Sequence, residues 1–431
     1  MPGAETKTNS RSPWPWIPTV YFAQGMPNAL VATVSVLLYS DLGVSNAATA
    51  FFTSLLYLPW VIKPLWSPVV DILKTRRQWI WATQLFLGAL LAGVAVMIPS
   101  PHFIQWTLVF FGLLAFTSAT HDIAADGFYI LATTEHQQSV FIGWRSVFFN
   151  VGKIAAQGGL VFFAGKLAKQ TGNPALAWSL VFTLGAAIFF CLGAYHRFVL
   201  PRPAADYSGE ISRSENVLDA FLNTFSSFFQ KPKILLPLLF ILLYRLGEAQ
   251  LVKIIPLFLH AAPTNGGLGL DDESISAIYG TAGVIAFMCG ALLGGFVVSR
   301  NGLKFWLWPM LLAIHLPDAV FIWLAYAQPH NLFAIGAGVA VEQFGYGFGF
   351  TAFLLYMIFV ARGKHPTAHY AICTGFMALG IMLPGMWSGQ LQEILGYKHF
   401  FIWVILATIP SFIVALKIPL DAKFGKRNRA N

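Results

Sequence analysis

The chain has 431 residues, 57% of them hydrophobic and only 10% charged, with a formal net charge of +9. A water-soluble chain carries roughly a quarter charged residues, so this composition excludes a soluble enzyme and a soluble nucleic-acid binder. It points to an integral membrane protein.

In chain order, apolar segments of spanning length are predicted at 16–40, 47–67, 78–98, 103–132, 139–165, 176–196, 233–260, 273–298, 303–326, 331–360, 366–390 and 398–417. Each has at least the ~20 residues a helix needs to cross the hydrocarbon core. Continuous apolar runs, not ten-residue alternation, make these helices rather than strands of an outer-membrane barrel. The first is too long for a signal-peptide core and is read as a retained membrane helix. Cys191, Cys289 and Cys373 fall singly in three segments, without zinc or redox spacing, so no metal site is expected.

Lys and Arg set the expected orientation. With the N-terminus in the cytoplasm, cytoplasmic loops hold Lys74, Arg76, Arg77, Arg197, Arg202, Arg300, Lys304, Arg362 and Lys364, whereas the far side has only Lys166, Lys169 and Lys398. That asymmetry places both termini in the cytoplasm and makes the net charge a topology signal, not a nucleic-acid surface. One long polar connection, 197–232, divides the chain into bundles of six helices at 16–196 and 233–417, flanked by tails at 1–15 and 418–431. Within the connection, ENVLDAFLNTFSSFF (215–229) has helical apolar spacing, with Ser214 as a candidate N-cap. It reads either as an interfacial amphipathic helix or as a linker helix packed on the bundle.

Several charges fall well inside the segments. The fourth contains TSATHDIAADGFYILAT (117–133), where Ser118, Asp122, Ala125, Asp126, Tyr129 and Thr133 form one polar stripe. The fifth offers a second stripe, Ser146, Asn150, Lys153 and Gln157, with Arg145 at its edge; the two faces are expected to meet. The seventh has Arg245, Glu248 and Lys253. Glu248 and Lys253 lie about 140° apart by the helical period, so a local break or two separate environments is needed. Asp271, Asp272 and Glu273 at the start of the eighth complement the helix dipole. The tenth has Glu342 beside Gly345, Gly347 and Gly349.

An ionised side chain at mid-bilayer costs ~2.5–3.5 kcal/mol even on lenient scales, so these groups must face one another or a watery interior. A desolvated carboxylate can carry a proton, and a buried Lys or Arg can hold an anionic substrate group. Pairing that merely fixes helix packing is the competing role for each residue. His121 is read either as a titrating neighbour of Asp122 or as a hydrogen-bonded packing residue.

Six short segments in order carry a family resemblance: YFAQGMP (21–27), LPWVIKPLWSPVVD (58–71), HDIAAD (121–126), GWR (143–145), YRLGEA (244–249) and EQFGYGFGFTAF (342–353). The chain resembles the AmpG-type muropeptide permeases of the major facilitator superfamily. It departs from them in His121, where Gln is usual, in Trp144, where Tyr is usual, and in Glu248, where Asp is frequent.

The resemblance implies an all-α major facilitator fold of twelve transmembrane helices in two six-helix halves. It implies a monomeric, multi-pass, inner-membrane importer working by alternating access, driven by the proton gradient without a cofactor. The cargo would be an N-acetylglucosaminyl-anhydro-N-acetylmuramyl peptide; another amino sugar, a ferric siderophore or an acyl-CoA is the alternative within the superfamily. By matching positions, Asp122, Asp126, Glu342, Glu248 and His121 become candidates for proton coupling. Gln24, Arg145, Lys153, Tyr244, Arg245, Lys253, Trp144 and Tyr21 become candidates for substrate binding, and Lys63, Asp71, Arg76 and Arg77 for a cytoplasmic gate. A membrane-embedded enzyme or sensor is the distant alternative; it would need a nucleophile, base or metal cluster at one level, and none is legible.

Overall fold

The computed structural model describes residues 12–44, 52–53, 55–206 and 217–426. Residues 1–11 of the first tail, 427–431 of the last, part of the 47–67 segment and Ser214 therefore lie outside the described residues. Among those residues every regular element is helical. Ten helical stretches are long and apolar enough to cross a membrane. We label the elements α1 (Ile17–Tyr39), α2 (Leu58–Ile62), α3 (Ser67–Leu73), α4 (Arg76–Met97), α5 (Phe103–Ala132), α6 (Glu135–Thr171) and α7 (Pro174–Val199). Then follow α8 (Val217–Phe229), α9 (Leu235–Leu243), α10 (Leu246–His260), α11 (Ala277–Asn301), α12 (Leu303–Ala327), α13 (Leu332–Ala361) and α14 (Pro366–Ala415). The 50-residue α14 is two helices joined at Gly396, whose φ of 67° breaks the helix where the 366–390 and 398–417 segments were expected to separate.

Local chemistry sets the ends. Thr75 accepts from the Gln78 backbone N–H, while the Gln78 side chain accepts from Thr75, closing a capping box at the start of α4. Gly172 takes the left-handed conformation that ends α6. Asn173 then caps α7, whose first residue is Pro174. Proline also explains the irregular second segment. Pro59, Pro64 and Pro68 remove backbone donors, leaving α2, a tight turn at Lys63–Leu65, and α3 instead of one continuous helix. In α1, Pro27 is followed by a widened, π-helical turn at Leu30–Val34. The seventh segment is interrupted at Arg245, with φ −109° and ψ 18°, which separates α9 from α10 and lies upstream of both Glu248 and Lys253.

The chain divides into two compact units. One comprises Met1–Thr134, Phe148–Ser226 and Gly363–Ala371; the other comprises Glu135–Val147, Ser227–Arg362 and Ile372–Asn431. The core of the first packs Met26, Val34 and Leu38 of α1 against Leu91 and Val94 of α4, Phe111 of α5, and Trp178, Phe182 and Phe189 of α7. The second packs Ile254 and Phe258 of α10 against Phe321 and Leu324 of α12, Val339 of α13 and Phe401 of α14. At two glycines of α13 no side chain separates it from its neighbours' backbones. A Cβ on Gly345 would strike the Ala313 carbonyl of α12, and one on Gly347 the Phe287 carbonyl of α11.

The linker helix α8 packs on protein. Phe228 is fully buried, the Thr224 carbonyl lies 3.3 Å from an imidazole nitrogen of His369, and Phe229 meets Phe376 edge-on. Upstream, the Asp206 carboxylate accepts from the backbone N–H groups of Arg76 at 2.7 Å and Arg77 at 3.0 Å, tying the chain after α7 to the positive end of α4. Removing those acceptors by Asp206→Ala is expected to lower stability by about 1–2 kcal/mol, as loss of a helix cap does. The check is a reduced midpoint of thermal unfolding in detergent relative to the parent protein.

Candidate functional site

In the first unit the stripe on α5 is buried as its spacing requires: Ser118, Asp122, Asp126 and Tyr129 are all below one-tenth exposed. Asp122 meets the Lys63 ammonium in an ion pair and accepts from the Gln24 amide of α1. The proline-broken second segment is what makes this pairing possible. The turn at Lys63–Leu65 brings a lysine 6% exposed to a carboxylate 8% exposed. In hydrocarbon neither charge is tolerable alone; removing one member of a buried pair costs ~3–5 kcal/mol because the other is stranded. Of the residues the resemblance offered for a gate, Lys63 pairs with the α5 acid, while Asp71 pairs with Arg76. Asp126, one turn on, accepts from the Tyr21 hydroxyl at 3.2 Å, and Tyr21 lies edge-on to Tyr129.

Lys153, on the second stripe, is partly buried and makes no ion pair or hydrogen bond among the described residues. Gln157 of that stripe donates to Thr33 of α1 at 3.0 Å. Gln24 spends its amide N–H on Asp122 while its carbonyl oxygen, also buried, has no partner.

His121 is fully buried and is held by a glutamine of α4. Its Nε2 lies 2.9 Å from the Gln84 amide nitrogen of α4. The Gln84 oxygen lies 2.7 Å from Nδ1 of His196 on α7, and Nε2 of His196 lies 2.8 Å from the Thr19 hydroxyl of α1. An amide nitrogen only donates, so His121 Nε2 accepts in this arrangement, and His196 Nδ1 donates to the amide oxygen. This string ties four helices together; of it, only His121 was singled out by its position in the sequence.

The expected gate residues part company. Asp71 accepts from the Arg76 guanidinium at 2.6 Å and from the Ala368 backbone N–H at 3.1 Å, and Arg76 Nε donates to the Thr367 hydroxyl at 3.1 Å. A carboxylate thus caps the first turn of α14 within this unit. Nearby, burial holds the His365 imidazole below its ordinary value, with the Asp71 charge opposing. Arg77 instead serves the backbone, donating to the Arg197 and Leu200 carbonyls.

In the second unit Arg245 grips Glu248 with two nitrogens, at 2.5 and 3.0 Å, and donates to the Tyr346 hydroxyl at 2.6 Å. Its guanidinium also lies over the Tyr346 and Phe350 rings. Glu248 is 3% exposed whereas Lys253 is exposed, so these two residues of α10 do occupy separate environments. Glu342 on α13 is buried and accepts from the neighbouring Gln343 amide at 2.9 Å. Tyr244 is taken up by packing: its hydroxyl donates to the Gly349 carbonyl at 2.8 Å and its ring stacks on Phe353 at 4.5 Å. Arg145 is buried and Trp144 half-buried on the part of α6 that belongs to this unit. The Asp271 carboxylate is held below the usual range by hydrogen bonds from the Ser274 side chain and from the Ser274 backbone N–H at 2.9 Å, at the helix start where a carboxylate was expected to complement the dipole. Sequence reasoning missed Asp318, a carboxyl 1% exposed in the middle of α12. The signal was present as LPD (316–318), a proline and an acid interrupting an apolar run.

The Major Facilitator Superfamily family model matches residues 19–389. The anhydromuropeptide permease of Escherichia coli strain K12 is 26% identical over 403 residues, spanning 92% of this chain and 77% of that protein. A Rickettsia conorii protein named as a transporter, AmpG 4, is 24% identical over 400 residues, spanning 91% and 93%. Among solved structures, the fucose:proton symporter FucP of E. coli, including one in the outward conformation, superposes with a TM-score of 0.69 at 16% identity, covering 94% of this chain and 98% of that one. With helices of spanning length throughout and a family match over most of its length, the chain belongs to the Major Facilitator Superfamily and is an integral membrane transporter.

Proposed function

We propose that the protein is a proton-coupled importer of anhydromuropeptide-type amino sugars in the cytoplasmic membrane, with both termini cytoplasmic, working by alternating access. The observation that carries the coupling is the buried Asp122–Lys63 pair with Gln24. A proton on Asp122 cancels the attraction that holds Lys63, so protonation changes which groups are held together inside the first unit. Asp126 sits one turn away as a second proton acceptor, steadied by Tyr21. The cargo assignment draws on the likeness to the anhydromuropeptide permease over 92% of the chain. It also draws on Lys153, an ammonium within a span that no carboxylate of the described protein answers. An anionic sugar peptide would supply that carboxylate, and the vacant carbonyl of Gln24 would accept from a sugar hydroxyl or acetamido N–H.

In proteoliposomes under an inward pH gradient, Asp122→Asn and Asp126→Asn are each expected to abolish accumulation of labelled anhydromuropeptide while the protein remains folded in the membrane. Asp122→Asn combined with Lys63→Gln removes both charges; it should recover any stability lost in the single variant without recovering accumulation. Undiminished accumulation in both single variants would remove α5 from the coupling mechanism.

Lys153→Glu is expected to weaken binding of the anionic muropeptide about tenfold, equivalent to ~1.4 kcal/mol. An analogue with its carboxylates amidated should lose much less. Equal losses for both ligands would assign Lys153 to packing. Competition by other amino sugars, ferric chelates and acyl-CoA decides the cargo class: displacement by one of these, with none by muropeptide, replaces the proposed substrate.

A further inference from the structure

After α14 the chain turns back on the second unit, and residues 421–426 lie against it as a strap. Phe424 is the anchor. Its ring is fully buried, meets Phe359 of α13 edge-on at 5.3 Å and lies 4.4 Å from the Arg362 guanidinium just past that helix. Its carbonyl accepts from the backbone N–H of Leu303, the first residue of α12, at 3.0 Å. Gly425 follows with φ 81°, and a Cβ there would strike the hydroxyl of Ser139, a fully buried residue near the start of α6.

A second route ties the strap to α6. Arg362, whose guanidinium covers the Phe424 ring, also pairs with Glu135, the first residue of α6. That pair is partly open to water, where ion pairs hold weakly. Beneath it, α6 lies on α11 through glycines. A Cβ on Gly143 would strike the Ala291 carbonyl, and one on Gly295 would lie 2.9 Å from the Ser139 carbonyl. Glycine permits close approach but interlocks nothing, so at these two points no side chain keys α6 to α11.

The strap's own hold is small. One ring and one backbone hydrogen bond work against the entropy of ordering six residues, reached through a stretch (416–420) that is exposed or half-exposed. The helix it holds is divided between the units: α6 begins in the second, carries Trp144 and Arg145 there, and continues beyond Val147 in the first. We propose that the strap is a releasable latch on α6. Seated, Phe424 and Gly425 hold the start of the helix on the second unit; released, they free it to shift at each change of access. This rests on the alternating-access reading above and adds to it a control element outside both polar stripes.

Two experiments test the latch, both in protein whose Cys191, Cys289 and Cys373 are replaced by alanine. In the first, Ser139→Cys is labelled in lipid nanodiscs with a water-soluble maleimide, which reaches the thiol only when the strap leaves. Labelling is expected to be slow, and at least tenfold faster when Phe424→Ala is added. Equal rates deny that the ring seats the strap, and no labelling at all while Phe424 is present denies that the strap leaves; either overturns the proposal. The second locks the strap. A Cβ on Gly425 would lie 3.6 Å from that of Ser139, within disulfide range, so Ser139→Cys with Gly425→Cys can be cross-linked by copper–phenanthroline. In proteoliposomes the cross-linked protein should lose at least nine-tenths of its anhydromuropeptide accumulation and regain it on reduction. Full accumulation with the disulfide formed overturns the latch. If Gly425→Cys does not fold, the labelling rates decide alone. If the uncross-linked protein accumulates no muropeptide, the cargo assignment fails, and the labelling rates, which need no cargo, still uphold or overturn the latch.

Discussion

The cost of ionised groups in hydrocarbon governs this molecule more than any single packing contact. Apolar helices are readily stabilised in a bilayer, but each buried charge must be met by an opposite charge, a set of donors or a proton. The Asp122–Lys63 pair answers that demand with a lysine on a broken helix, and the Arg245–Glu248 pair answers it within one turn of α10. The two solutions differ in what they leave available. Arg245 is saturated by Glu248, Tyr346 and two aromatic faces, and so behaves as a brace. Asp122 depends on one ammonium and one amide, either of which a proton on its carboxylate would release.

The first unit surrounds its acids with a second, uncharged network. Gln84 joins His121 to His196, and Thr19 closes the string, so that α1, α4, α5 and α7 are linked by side-chain hydrogen bonds behind the polar stripe. Such a network is costly to leave half made, which favours one arrangement of these helices over near alternatives. The Thr19 hydroxyl has a further acceptor in the Trp16 carbonyl at 3.2 Å. With Nδ1 of a neutral His196 donating to Gln84, its Nε2 accepts, so the Thr19 hydroxyl turns to His196 rather than to that carbonyl.

Much of this was legible in the residues, and the remainder had physical reasons to be hidden. The α5 boundaries follow directly from the length of its apolar run, and the burial of Ser118, Asp122, Asp126 and Tyr129 follows from three- and four-residue spacing. The angle between Glu248 and Lys253 called for a local break or two separate environments; both residues sit on the unbroken α10, one buried and one exposed. The partner of Asp122 was not legible, because Lys63 reaches it through a proline-interrupted turn whose direction no periodicity encodes. Asp318 was hidden for another reason: a single acid in an apolar segment has no stripe to announce it, and only the folded chain reveals that nothing answers its oxygens.

The glycines of α13 bear on movement. Where two helices touch through side chains, rotamers can absorb a small slide; where backbone lies on backbone, there is nothing soft to deform. At Gly345 and Gly347, α13 rests on the main chains of α12 and α11. Any side chain larger than hydrogen at these two positions would drive a main chain away from α13, so the closeness of all three helices at the level of Glu342 hangs on two missing methyl groups.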